Sequence, residues 1–216
     1  MLSSAAMWKW AALLILLTAC GQSNLSSRTT NDVEGRKIKR IAIFPLESLS
    51  GRDKNRVPFS AGSSENQSET LISRQLYSTM SQRSTWQLVS DREVREMEPL
   101  VPSGSPETRA RRLGQLVYAD AVLSGRVIRF HEREGEAIGA MSPASVAFVL
   151  ELWDVKRGDS IWTARFDETQ KPLNEDLLNL GQVATRGVRW LKAEELSLEG
   201  VKKAVNQLHQ VLYGKG

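Results

Sequence analysis

Cysteine occurs once in the 216 residues, at position 20, so the chain can form neither an internal disulfide nor a cysteine-built metal cage. Histidine occurs only at 131 and 209, and no His-Glu-x-x-His, Cys/His spacing or acidic calcium loop is present. No metal or other cofactor is expected. There is no Gly-x-Ser-x-Gly elbow, and two histidines leave a Ser-His-Asp triad little to draw on. The apolar run at residues 11–19 is far short of the about 20 residues that a bilayer-spanning helix needs. Charge of one sign is also scarce. The formal net charge is +4, and +3 without residues 1–19, which hold Lys9 and no acid. Such a charge speaks to solubility rather than to a partner. Bases are interleaved with acids, so no nucleic-acid partner is expected. The tightest basic cluster, Arg109, Arg111 and Arg112, reads as the solvated face of a helix rather than a phosphate-binding patch.

What is present begins with an export signal. Trp8-Lys9-Trp10 precedes the apolar run, the order of a secretory signal peptide. Met1 to Ala6 carry no charge, so translation from Met7 would give the same mature chain. The run ends Leu17-Thr18-Ala19-Cys20-Gly21, which resembles the bacterial lipobox. Its thiol accepts a diacylglyceryl group, and the small residues before it admit the peptidase. Residues 1–19 are therefore expected to be removed and Cys20 to carry the lipid. Two acyl chains anchor stably where one does not. Gly21 is not the aspartate that resembles an inner-membrane retention signal, so the expected site is the outer membrane, with the domain facing the periplasm.

Residues 21–37 are polar and aperiodic, so 20–37 reads as a lipidated cysteine and flexible tether with a span of roughly 20–25 Å. Ile38–Leu46 reads as a strand, and 47–63 as a loop. Ser64 with Gln67 fits a capping box ahead of Leu71, Ile72, Leu76 and Met80 at helical spacing. Trp86–Val89 is a short strand, and Asp91 caps a helix through Met97. Ser105-Pro106-Glu107 starts another that runs to about Tyr118. Asp120–Phe130, Ser145–Val155 and Ser160–Phe166 read as strands, the last two joined by Lys156-Arg157-Gly158-Asp159. Val201, Ala204, Val205, Leu208, Val211 and Leu212 share one helix face. The expected fold class is α/β (α+β): a mixed sheet of about five strands with helices packed on it, over residues 38–168. Residues 169–216 form a helical extension packed on that domain.

Ile41-Ala42-Ile43-Phe44-Pro45-Leu46-Glu47-Ser48-Leu49-Ser50-Gly51 resembles a strand-to-loop motif of bacterial envelope proteins. The group includes the TolB N-terminal domain, the curli secretion lipoprotein CsgG and the lipoprotein activators of penicillin-binding proteins. Ala119-Asp120-Ala121-Val122-Leu123-Ser124-Gly125-Arg126-Val127 is similar to the group's helix-to-strand passage, and Asp154 through Trp162 to its hairpin. Val117-Tyr118 stands where that group has Leu-Gly. The resemblance implies an outer-membrane lipoprotein of α/β fold. It does not imply a channel, because residues 130–143 cannot supply two membrane strands of about 9–11 residues each.

Few residues point to chemistry. His131 reads as an exposed strand-end residue rather than a base. Glu151 would need a second carboxyl at a defined separation to act on a glycan. Trp86, Trp153, Trp162 and Trp190 read as core or sheet packing rather than a sugar platform. In the apolar run Ala137–Met141, Ile138 and Met141 are candidate partner contacts, with folding back onto the core as the other reading. The chain is thus expected to be a lipid-anchored, non-enzymatic binding or scaffold lipoprotein that docks an envelope protein. The alternatives are a ring-forming homo-oligomer resembling CsgG without its barrel, or an enzyme on cell-wall glycan.

Overall fold

The computed structural model describes residues 24–30, 33, 36–48, 65–135, 142–170 and 190–214. Ser64, and with it the expected capping box, lies outside them, as do most of the 47–63 loop and the 171–189 segment.

Ile41 to Phe44 are all buried, and their side chains alternate between two separate apolar clusters. A strand with no polar face must lie inside the sheet with both faces covered. This is strand β2, Arg40–Ile43. It pairs in parallel with β4, Gln87–Leu88, on one side and with β5, Ala121–His131, on the other. Strand β5 then pairs antiparallel with β6, Ser145–Asp154, which pairs antiparallel with β7, Ser160–Thr169. The two-residue β3, Glu47–Ser48, runs parallel to the far half of β5. The mixed, open sheet has seven strands among the described residues, against about five expected.

The extra edge strand corrects the tether. Residues Leu25–Thr29, read as flexible coil, form β1 and pair antiparallel with β7, Leu25 opposite Phe166 and Thr29 opposite Trp162. Farther along, Val33 is buried and Arg36 closes an ion-pair clasp on the β6–β7 turn. Its guanidinium donates to Asp154 at 2.9 Å and to both oxygens of Asp159 at 2.8 and 2.9 Å. Arg36 and Asp154 keep only 7% and 11% of their side-chain surface exposed. Asp154 also accepts the amides of Lys156 and Arg157, so one carboxylate sets the turn and receives the cation.

Helices cover the sheet on both sides. On one face lie α1, Glu65–Ser81, and α4, Ala193–Tyr213. They bring Ile72, Leu76, Met80, Val201, Val205 and Leu208 onto Ile41, Ile43 and Leu123. On the other lie α2, Asp91–Met97, and α3, Pro106–Leu116, where Val94, Ala110 and Leu113 meet Ala42, Phe44 and Val122. Ser105 caps α3 as expected, its hydroxyl accepting the amide of Thr108 at 3.2 Å. Ser90, not Asp91, caps α2, its hydroxyl accepting the amide of Glu93. Aspartate at the next position faces the positive end of the helix instead. Helix α3 stops at Leu116, short of Tyr118, which takes a left-handed φ of 52°.

Gly125, on β5, has a steric reason: a Cβ there would come within 2.6 Å of the Val149 carbonyl and 2.7 Å of Leu46. Gly125→Ala is expected to cost about 2 kcal/mol in urea unfolding, the order seen when a packed site is overfilled. Arg36→Met is expected to lower stability by about 3 kcal/mol, because it leaves Asp154 buried without its cation. Hydrogen bonding from Arg36 holds the Asp159 carboxyl below its ordinary pKa. Its contribution is therefore present at neutral pH and lost as pH falls through that lowered value. Unfolding followed from neutral to acid pH should show a shallower acid limb in Arg36→Met than in the wild type.

Candidate functional site

Strand β2 is also where the chain changes faces. After β2 it crosses to β4 by α1 on one face, and after β4 it returns to β5 by α2 and α3 on the other. In open α/β sheets ligands lodge at the carboxyl end of the strand where crossovers diverge. Here that end is Phe44-Pro45, and a cleft lies on its α3 side.

The cleft floor is Phe44 and Ala110, with Gly125 and Val149 of the sheet beside them. Arg109, from the second turn of α3, lies 4.7 Å over the Phe44 ring and donates to Glu47. Arg126 stands 3.9 Å from Glu151 across the β5–β6 ladder. Trp153 donates its indole N–H to Ser124 at 3.0 Å. Each polar group thus faces a partner within the chain. The cavity is about 50 Å³, against about 300–1,000 Å³ for small-molecule sites. It has room for one side chain or a few waters.

Glu47 and Glu151 both line this cleft, and each faces an arginine, Arg109 and Arg126 respectively. His131 is exposed at the end of β5, as expected. His209 packs edge-on against Trp86 with ring centres 5.7 Å apart, and burial, then Arg83, lowers its pKa. Burial, then Asp91, raises the pKa of Tyr77, whose hydroxyl reaches the Ile43 carbonyl at 3.4 Å. Among the described residues no group of three or more His, Cys, Asp or Glu is placed to hold a metal ion. No helix there is long and apolar enough to cross a membrane.

The tryptophans pack as expected. Trp86, Trp162 and Trp190 are buried, Trp86 donating to the Met80 carbonyl at 2.7 Å and Trp162 to Gln207, while Trp153 is half-buried. Cys20, Ile138 and Met141 all lie outside the described residues.

Some residues went unseen in the sequence. Arg36 sits inside the presumed tether, and its period-free surroundings gave no signal. Tyr118 is 86% exposed in a left-handed conformation that costs a non-glycine residue about 1–2 kcal/mol. Tyrosine in place of a glycine at that junction was the available sign. The arginine cluster divides: Arg109 belongs to the switch-point cleft, whereas Arg111 lines a larger cleft at the opposite end of the sheet.

A scan of the sequence against known protein families gives no match, and a search of the curated proteins gives none. Among solved structures, the PelC dodecamer from Paraburkholderia phytofirmans is similar at 12% identity and a TM-score of 0.47, covering 89% of this chain and 99% of that one. The lipoprotein GNA1162 from Neisseria meningitidis matches at 16% identity and 0.38, covering 68% and 91%. TolB from Acinetobacter baumannii matches at 10% identity and 0.38, covering 88% of this chain and 31% of that one. At such identities and scores nothing of what those proteins do transfers to this chain.

The wild-type protein is expected to leave purified muropeptides uncleaved, as followed by chromatography. Cleavage that disappears in Glu151→Gln would instead establish a glycan hydrolase.

Proposed function

We propose that this chain is a lipid-anchored, non-enzymatic lipoprotein of the outer membrane that holds its α/β domain in the periplasm and docks an envelope protein. The observation that carries the reading is the lipobox, Leu17-Thr18-Ala19-Cys20, taken with the register of β1. Leu25 is already in the sheet, and five residues of chain reach at most about 17 Å. With acyl chains on Cys20, the domain stands close to the bilayer rather than on a long leash.

That register also orients the domain. Strand β1 starts level with Phe166 and runs toward the β6–β7 turn. Strands β5 and β6 therefore reach their shared connection at the end of the sheet from which β1 starts. Ile138 and Met141 fall in the sequence between β5 and β6 and are the proposed partner contacts. The small, internally paired switch-point cleft supports a docking role over catalysis.

Two measurements test this. Cys20→Ser should abolish labelling by a fatty-acid analogue and move the protein from the membrane to the soluble periplasmic fraction; persistent labelling would end the anchor reading. Crosslinking in intact cells, with mass spectrometry of what is recovered, should yield a distinct envelope protein that is lost in Ile138→Asp. Recovery of self-crosslinked species alone would replace docking with a structural oligomer.

A further inference from the structure

Helices α2 and α3 cover only the β2 side of their face of the sheet. Beyond them the registers of β5, β6, β7 and β1 bring Arg126, Arg129, Glu151, Arg165, Asp167 and Arg28 onto that same face. Four guanidiniums there meet two carboxylates. Glu151 takes Arg126 at 3.9 Å, and Asp167 is shared between Arg129 at 2.5 Å and Arg165 at 2.8 Å. Arg165 is the more open of those two, with 49% of its side-chain surface exposed against 31% for Arg129. Arg28 is exposed, lies opposite Thr163, and has no acid beside it among the described residues. The surplus of positive charge therefore gathers at the rim formed by β7 and β1. Arg165 stands opposite Ser26, so Arg28 is its diagonal neighbour, about 7–8 Å away.

The place of this rim in the chain is a second observation. Arg28 follows Cys20 by eight residues, a length that reaches at most about 29 Å. The rim is thus the part of the sheet that the chain from Cys20 enters first. A guanidinium fork matches the oxygens of a phosphate. Each basic residue close to an anionic bilayer favours contact by about fivefold. A short tether keeps the domain at high effective concentration there, so two such charges suffice to orient it. Helices α2 and α3 stand above the β2 side of the face, so a flat bilayer meets the β7–β1 rim.

We infer that the β7–β1 rim, through Arg28 and Arg165, lies against the headgroup phosphates of anionic phospholipids in the bilayer that holds the anchor. The inference rests on the anchored reading above and adds to it the side that the domain turns to the membrane.

The test supplies the anchor by chemistry. The chain from Cys20 to Gly216, which contains every described residue, is coupled through its only thiol to a maleimide-bearing lipid in vesicles. One set of vesicles is phosphatidylcholine, and the other adds phosphatidylglycerol. Phenylglyoxal labelling with mass spectrometry then reads the reactivity of each arginine. On the anionic vesicles Arg28 and Arg165 should react about fivefold more slowly than on the neutral ones, and high salt should remove the difference. Arg92 and Arg112, exposed on α2 and α3, should react alike on both. Arg165→Glu should abolish the protection of Arg28. Equal reactivity of Arg28 and Arg165 on the two vesicles would overturn the assignment, and is the result expected if an acidic protein occupies the rim instead. Protection that persists in salt, protection of Arg28 kept in Arg165→Glu, or equal slowing at Arg92 and Arg112 would overturn it too. Because the lipid is attached by coupling, none of these outcomes depends on whether cells acylate Cys20, which the fatty-acid labelling above decides separately.

Discussion

Four consecutive apolar residues, Ile41 to Phe44, leave a strand with no side for water, and the architecture follows from covering both of its faces. Ile41 and Ile43 require the layer that α1 and α4 supply, and Ala42 and Phe44 the layer of α2 and α3. Because the covering helices lie on opposite faces, the two crossovers must part at the end of β2. The same requirement therefore creates both the core and the switch-point cleft. On the β6–β7 side no described helix covers the second face. It carries Arg126, Arg129 and Arg165 against Glu151 and Asp167, a charged ladder facing water.

Most of this was legible where burial imposes a period. The C-terminal helix shows a full apolar stripe from Val201 to Leu212, and it is one helix of 21 residues. The β6–β7 hairpin was visible from its turn, Gly158 supplying a φ of 80°. Helix α3 was visible from Ser105-Pro106-Glu107, a start whose chemistry is local. Strand β1 was not legible, because it is an edge with one neighbour and four of its five residues exposed. Such a strand carries no apolar alternation, and its existence is decided by β7 rather than by its own composition. Arg36 is the same case: its partners are 118 and 123 residues away, a distance at which no local pattern operates.

The clefts divide along the same line. Phe44-Pro45 and Ser124-Gly125-Arg126 stood out as motifs, and they meet at the switch point because β2 and β5 are parallel neighbours. The larger cleft at the opposite end of the sheet draws on the end of a helix, a hairpin turn and a segment expected to be coil. Its residues look like ordinary surface charge until the sheet brings them together. Glu47 and Glu151 make the converse point, since two acids on one cleft suggest chemistry until each is seen beside its arginine.

The β1–β7 register has a mechanical consequence. Were Cys20 to carry acyl chains as proposed, tension between the anchor and the β6–β7 turn would enter the domain along the axis of β1. Ladder hydrogen bonds lie perpendicular to the strands. They would then be pulled sideways together instead of parting one after another. The Arg36 clasp sits at the far end of that strand and resists the same displacement. If Cys20 carries the lipid as proposed, the tie to the membrane would be fastened in the geometry that best withstands being drawn out.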